Sequence, residues 1–324
     1  MKRNKPIASL SLDLDNKWSY LMTHGEPGWK SFPSYLDILI PRVLNFLKTK
    51  NLNITFFIVG QDAALKNNRE LLKSIAEAGH EIGNHSFKHE PWLHLYSEKE
   101  IGKEIETAEE YIEQATGQRP IGFRGPGFSL STATLRELAR RGYLYDASTF
   151  PTFVGPLAKI YYFLTAQFTA EEKQQRSLFG GSFREGLRPI KPYRWQMGSS
   201  SLIEIPVTTM PFLRFPFHLS YILWLSIFSK TLAKQYFEMV LILCRLTGTQ
   251  LSLLLHPTDF LGCDDTRDLS FFPGMSLPSG KKLELLNHVL KRLTEEFTIL
   301  TLQKHAQVAS CNCKLPEYKA SLLN

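Results

Sequence analysis

Two carboxylates one residue apart, Asp13 and Asp15, end the short alternating run Ile7-Ala8-Ser9-Leu10-Ser11-Leu12-Asp13-Leu14-Asp15-Asn16. On a strand the side-chain period is two, so Ile7, Ser9, Ser11, Asp13 and Asp15 share one face while Ala8, Leu10, Leu12 and Leu14 share the other. Like charges on one face repel unless a cation or a proton sits between them, so the pair calls for a metal or a divided acid/base role. Asp and Asn also belong in polar turns, and this stretch alone favours a half-buried strand running into such a turn. Further along, His85 and His89 have three residues between them, a spacing that lets two imidazoles reach one metal from a helical turn or a tight loop. Two imidazoles and one carboxylate make a three-ligand site with positions left open for water and substrate.

The elements that must position these residues alternate. The opening strand is followed by a Gly- and Pro-bearing stretch, Lys17 to Ser34, read as a long loop. A helix is expected over Tyr35–Lys48, then a strand Ile54–Val59 apolar on both faces, as buried parallel strands are. A helix Ala63–Ala78 stopping at Gly79, a short strand at Glu81-Ile82 and the turn holding His85 and His89 come next. Ser97 and Glu100 form a capping box for a helix ending at Gly117. Strand Ile121–Phe123 runs into Arg124-Gly125-Pro126, helix Thr132–Arg141 stops at Gly142, and strand Tyr143–Tyr145 ends at Asp146. Alternation of this kind argues for parallel βα units, and the polar residues Asp13, Asp15, Arg124 and Asp146 all fall at strand C-terminal ends, where barrel enzymes place their chemistry. Residues 150–200, aromatic and then Arg-rich through Arg184, Arg188, Lys191 and Arg194, break the rhythm and read as an insertion. Strand Leu202–Ile205, a Pro-punctuated apolar segment through Phe212 to Phe228, a helix from Lys230 to about Leu246, strand Leu251–Leu255 ending on His256-Pro257, a helix Lys281–Glu296 and a strand Phe297–Leu300 complete the chain.

The 324 residues, 43% of them apolar, allow a sizeable core in one domain. The net charge of +7 suits anionic surroundings, but no long Lys/Arg run or nucleic-acid motif accompanies it, so nucleic acid is not an expected partner. Four cysteines are too few for a disulfide framework, and Cys311 and Cys313 read as reduced thiols. The basic N-terminus leads into an apolar run broken by Asp13, unlike a signal peptide, and no stretch reaches the ~20 apolar residues of a membrane span. The expected location is the cytoplasm, with peripheral contact at the inner membrane face as a variant.

Five motifs in order give the chain its resemblance to a known family. Ser11-Leu12-Asp13-Leu14-Asp15, His85-Ser86-Phe87-Lys88-His89, Arg124-Gly125-Pro126-Gly127-Phe128-Ser129, Asp146-Ala147-Ser148 and Leu253-Leu254-Leu255-His256 together resemble the polysaccharide deacetylases of carbohydrate esterase family 4, the NodB-homology domain. The resemblance implies an α/β fold, a distorted (β/α) barrel of about seven parallel strands. It implies one catalytic domain over 6–304, the insertion at about 150–200 included, and a tail over 305–324. It implies that Asp15, His85 and His89 bind a divalent metal, with Zn2+ the expected ion, and that Asp13 is the general base, paired with Arg124. His256 would be the general acid, oriented by Asp146. The first motif has Asp-x-Asp in place of two adjacent aspartates, and Gly127 stands where an aromatic residue is commoner, which leaves the oxyanion donor of the Gly125 to Phe128 loop open. The implied reaction is removal of N-acetyl groups from an amino sugar in a polysaccharide, oligosaccharide or saccharide precursor. The alternatives are deacylation or deformylation of a lipid-linked sugar or other amide, and an inactive carbohydrate- or membrane-binding module. For the Phe212–Phe228 segment a core helix is expected over a membrane-interface placement, and for Arg184–Arg194 a solvated loop over a phosphate contact.

Overall fold

The computed structural model describes residues 5–154, 183–311 and 314–323. Strand β1 (Ile7–Asp13) lies inside the sheet, hydrogen-bonded in parallel to β2 (Thr55–Ile58) on one side and β8 (Leu251–Leu255) on the other. Its apolar face, Ala8, Leu10 and Leu12, enters the main core. Its polar face is buried as well, which is affordable because each group there has a partner: Ser9 Oγ meets His305 Nδ1 at 2.9 Å, and Ser11 Oγ accepts from Arg124 Nη1 at 2.8 Å.

The remaining strands are β3 (Glu81–Asn84), β4 (Gly122–Phe123), β5 (Tyr145–Asp146), β6 (Tyr193–Met197), β7 (Ser200–Glu204), β9 (Thr298–Leu300) and β10 (Glu317–Lys319). The sheet order is β10-β6-β7-β5-β4-β3-β2-β1-β8, with β9 beside the start of β1. From β7 through β8 every pairing is parallel, and the β6–β7 hairpin is antiparallel. This is the expected α/β architecture with a mostly parallel sheet. Among the described residues no strand pairing closes the sheet between β7 and β8; the extended chain after β7 reaches across, Val207 N donating to Thr149 O at 2.9 Å and Thr208 N to Ser252 O at 3.0 Å.

Ten described helices flank the sheet: α1 (Lys17–His24), α2 (Leu36–Lys48), α3 (Gly60–Ala64), α4 (Arg69–Glu77), α5 (Glu98–Thr116), α6 (Thr132–Arg140), α7 (Leu219–Phe228), α8 (Lys230–Thr247), α9 (Ser279–Glu296) and α10 (Leu302–Ser310). The Ser97–Glu100 capping box opens α5, and left-handed Gly117 ends it.

The single helix expected over Ala63–Ala78 is split into α3 and α4 by a 3-10 turn at Lys66–Asn68, and three further segments differ from expectation. Lys17 to Ser34 is not all loop, because the Asn16 side chain accepts from Lys17 N, starting α1, and Gly25 at φ 81 stops it. Trp18, Leu21 and Met22 gain burial in return. The stretch before residue 200 contributes β6 to the sheet, with Tyr193 and Trp195 buried; residues 155–182, which hold half of the expected insertion's aromatics, lie outside the described residues, as do the Arg184 side chain and Cys313. The tail expected from 305 is continuous with the fold: α10 buries His305, Ala306 and Ala309, and β10 pairs with β6.

Candidate metal centre and catalytic cleft

Asp15, His85 and His89 converge just past the C-terminal ends of β1 and β3. Their ligand atoms all lie within 4.8 Å of one another, and all three residues are buried. His85 leaves β3 into a tight loop whose Ser86 and His89 adopt φ 60 and 56. Such left-handed backbone is uncommon for non-glycine residues and must be held. Here Asn84 Oδ1 accepts from Ser86 N (2.9 Å), Ser86 Oγ from His89 N (3.2 Å), and the α5 carboxylate Glu104 from Phe87 N and Lys88 N (3.2 and 3.0 Å). The loop is thereby fixed so that both rings face Asp15.

Asp15 Oδ1 is 2.9 Å from His89 Nε2 and 3.3 Å from His85 Nε2. These approaches are short but not directed as hydrogen bonds, and Oδ1 is buried with no hydrogen-bond partner. His85 Nδ1 faces the Arg124 carbonyl at 2.6 Å, so this nitrogen carries the proton and Nε2 presents a lone pair. A buried carboxylate oxygen without a donor, facing imidazole Nε2 atoms, fits a divalent cation among the three. Burial pushes the Asp15 carboxyl up, but the charge of His89 and the contacts of both histidines outweigh it and hold it well below the usual carboxylate range. Burial pushes His85 down, and the charges of Asp13 and Asp15 more than reverse that.

Asp13 is held differently. Its Oδ1 accepts from Arg124 Nη1 at 2.7 Å, while Oδ2 lies 3.9 Å from His85 Nε2. Arg124 is fully buried, also donates from Nε to Ala147 O at 2.9 Å, and lies 4.4 Å over the Phe57 ring.

His256 follows β8 and lines the same cleft, of about 190 Å³, with Asp13, Asp15, His85 and His89. Its Nδ1 contacts Ser220 Oγ at 3.2 Å, and that hydroxyl donates to Asp259 Oδ1 at 2.8 Å. Asp259 Oδ2 in turn accepts from His256 N at 2.8 Å. Asp146 is elsewhere: its carboxylate accepts from Ser148 Oγ (2.6 Å) and Ser148 N (3.1 Å), and Ser148 Oγ accepts from Gly125 N (2.8 Å). Among the described residues the ring of His256 is thus held by Ser220, backed by Asp259, whereas Asp146 anchors the loop after Arg124. Burial, then the neighbouring Glu204, pushes the Asp146 carboxyl well up.

Gly127 (φ 56) and Phe128 (φ 61) turn that loop so that Phe128 lines the cleft, one position after the place where the aromatic residue was expected. Tyr20, Phe271 and Phe272 line it too. Sequence reasoning missed Ser220 and Asp259. The His256-Pro257-Thr258-Asp259 spacing, which lets an acid cap the backbone three residues back, was the available signal for the second. His218 packs 5.4 Å from the His256 ring.

The family model for polysaccharide deacetylase matches residues 33–145. That span carries the polysaccharide deacetylase signature. It includes His85, His89 and Arg124, while Asp13, Asp15 and His256 lie outside it and are joined to them by the fold. A peptidoglycan deacetylase of Helicobacter pylori is 31% identical over 112 residues, 35% of this chain and 37% of that protein. The peptidoglycan-N-acetylmuramic acid deacetylase of Bacillus subtilis is 35% identical over 104 residues, 32% of this chain and 38% of that protein. The chain therefore spans between a third and two fifths of the length of these relatives. The crystal structure of a Mycobacterium smegmatis protein classed as a polysaccharide deacetylase shares the fold, with a TM-score of 0.64, 20% identity and coverage of 98% of this chain and 95% of that one.

Proposed function

We propose that the protein is a metal-dependent hydrolase that removes N-acetyl groups from an amino sugar in a polysaccharide, oligosaccharide or saccharide precursor. The observation that carries this reading is the convergence of Asp15, His85 and His89 beside an Arg124-paired Asp13, with His256 on the same cleft. Likeness to deacetylases of peptidoglycan supports the sugar amide as the substrate class.

Amide hydrolysis needs an activated water, stabilisation of the oxyanion and a proton for the departing amine. A divalent cation bound by Asp15, His85 and His89 supplies polarisation of a water and of the acetyl carbonyl. Asp13 has one oxygen tied to Arg124 and the other turned toward His85, so Oδ2 is the atom to take the water's proton. His256 delivers a proton to the amine nitrogen, with Ser220 and Asp259 fixing its ring. The aromatic walls of Tyr20, Phe128, Phe271 and Phe272 give a pyranose ring apolar faces to lie against.

The test is acetate release from N-acetylglucosamine oligomers by the purified chain. Release should stop with chelator, return with added Zn2+, and be absent from His85→Ala. Release that survives both chelator and His85→Ala would overturn the reading.

A further inference from the structure

Apolar surface that folding leaves in water calls for an explanation, and one face of this molecule carries a large amount of it. The turn between Thr209 and Pro216 is closed by Met210 N donating to Phe215 O (2.8 Å) and Arg214 N to Met210 O (2.9 Å), with Phe212 and Arg214 at φ 69 and 57. Left-handed backbone at non-glycine residues costs about 1 kcal/mol or more each. This turn spends that strain on side chains in solvent: Phe212 is 76% exposed, Leu213 57% and Phe215 46%. Beside it, α8 exposes Leu232, Met239, Ile242 and Leu246, whose spacing puts them in one helical stripe. The end of α7 adds exposed Trp224 and Phe228, their rings 5.1 Å apart. Tyr236, on the stripe side between Leu232 and Met239, donates its hydroxyl to Pro216 O at 2.6 Å, which seats the turn against the stripe.

We propose that this face docks the protein on the surface of an anionic lipid bilayer. The charges around it choose the occupant. The turn and α8 carry Arg214, Lys230, Lys234 and Arg245 against one acid, Glu238, which Arg292 of α9 binds at 2.7 Å. Lys230 and Arg245 have partners in Glu284 and Glu296 of the same α9, but exposed pairs of that kind are worth only about 0–1 kcal/mol and yield to lipid headgroups. A second copy seated on this face would bring basic side chains against basic side chains, whereas an anionic surface meets them with opposite charge. Aromatic and aliphatic side chains above a basic rim are the composition of an interfacial helix. No described helix is long and apolar enough to cross a membrane, so contact at the interface is the mode that fits. The active-site side is not far away: Ser220, in the first turn of α7 where Phe228 is its last residue, holds the His256 ring. The docking proposal stands independently of the deacetylase reading.

The test is flotation of the purified full chain with vesicles of phosphatidylglycerol or of phosphatidylcholine. The chain should float with phosphatidylglycerol and far less with phosphatidylcholine. The pair Phe212→Ser with Phe228→Ser, and separately Lys230→Glu with Lys234→Glu, should each reduce partitioning by about tenfold or more with the thermal midpoint unchanged. Failure of the wild-type chain to float overturns the proposal, as does flotation untouched by both pairs. So does a wild-type dimer in light scattering that either pair converts to monomer, since the face would then be an interface between copies.

Discussion

At the residue scale, two like-charged neighbours are separated by what grips them. Asp15 faces two imidazoles and Asp13 faces a guanidinium, so the same side chain is placed to meet a cation in one case and keeps one oxygen off the guanidinium in the other. His256 is gripped by a hydroxyl backed by the buried Asp259 carboxyl. Its ring rests on Ser220, and Ser220→Ala removes a hydrogen bond of roughly 1 kcal/mol without touching the metal ligands. The expected outcome is a fall in kcat for acetate release of about fivefold with metal content unchanged. An unaltered kcat would remove the serine from the support of His256. Six of the expected site residues, Asp13, Asp15, His85, His89, Arg124 and His256, were legible because carboxylates, histidines and an arginine at strand ends have few cheaper explanations, whereas Asp146, at another strand end, looked the same and anchors Ser148 instead. Ser220 was not, since a serine inside an apolar helix carries no signal until the fold brings it beside a histidine some 36 positions away.

At the element scale, the parallel strands and most helices followed from alternation and from caps such as Ser97 with Glu100. Helix α1 did not, because its start depends on Asn16, a residue equally suited to a turn. Helix α10 was missed for a related reason: its buried face is made of Leu302, His305, Ala306 and Ala309, and one leucine is too little apolar bulk to announce it. His305 ties that helix to β1 through Ser9 and to Gln250 at 3.0 Å. Burial lowers it from 6.5 to about 4, so the folded chain holds fewer protons than the unfolded one between those values. Its contribution is present above about pH 6.5 and is lost as pH falls toward about 4. His305→Gln keeps polar contacts without the titration, so urea unfolding across that window should show a smaller loss of stability on acidification than in the wild-type chain. Equal pH dependence in the two chains would mean that His305 does not set it.

At the scale of the whole molecule, the polar residues of one sheet end build a cleft, while α7 links that cleft to an exposed apolar face. The sequence reading favoured a core helix for the Phe212–Phe228 segment, and this is half of the answer: Leu219, Ile222 and Leu223 are buried while Trp224, Ile227 and Phe228 are exposed. An all-apolar run does not reveal which of its sides lacks a neighbour; only the packing of α8 and α9 around it decides that. The pairing of residues far apart in sequence, Asp13 with Arg124 and Asp15 with His85 and His89, rests on the same long-range assembly. The measurement that tests it most directly is zinc content and acetate release determined together on Asp15→Asn and Asp13→Asn. Asp15→Asn should lose the metal, and Asp13→Asn should keep it while turnover falls by roughly 10²–10⁴-fold. Equal loss of metal from both variants would contradict the account, because Asp13 would then be a ligand and not the base.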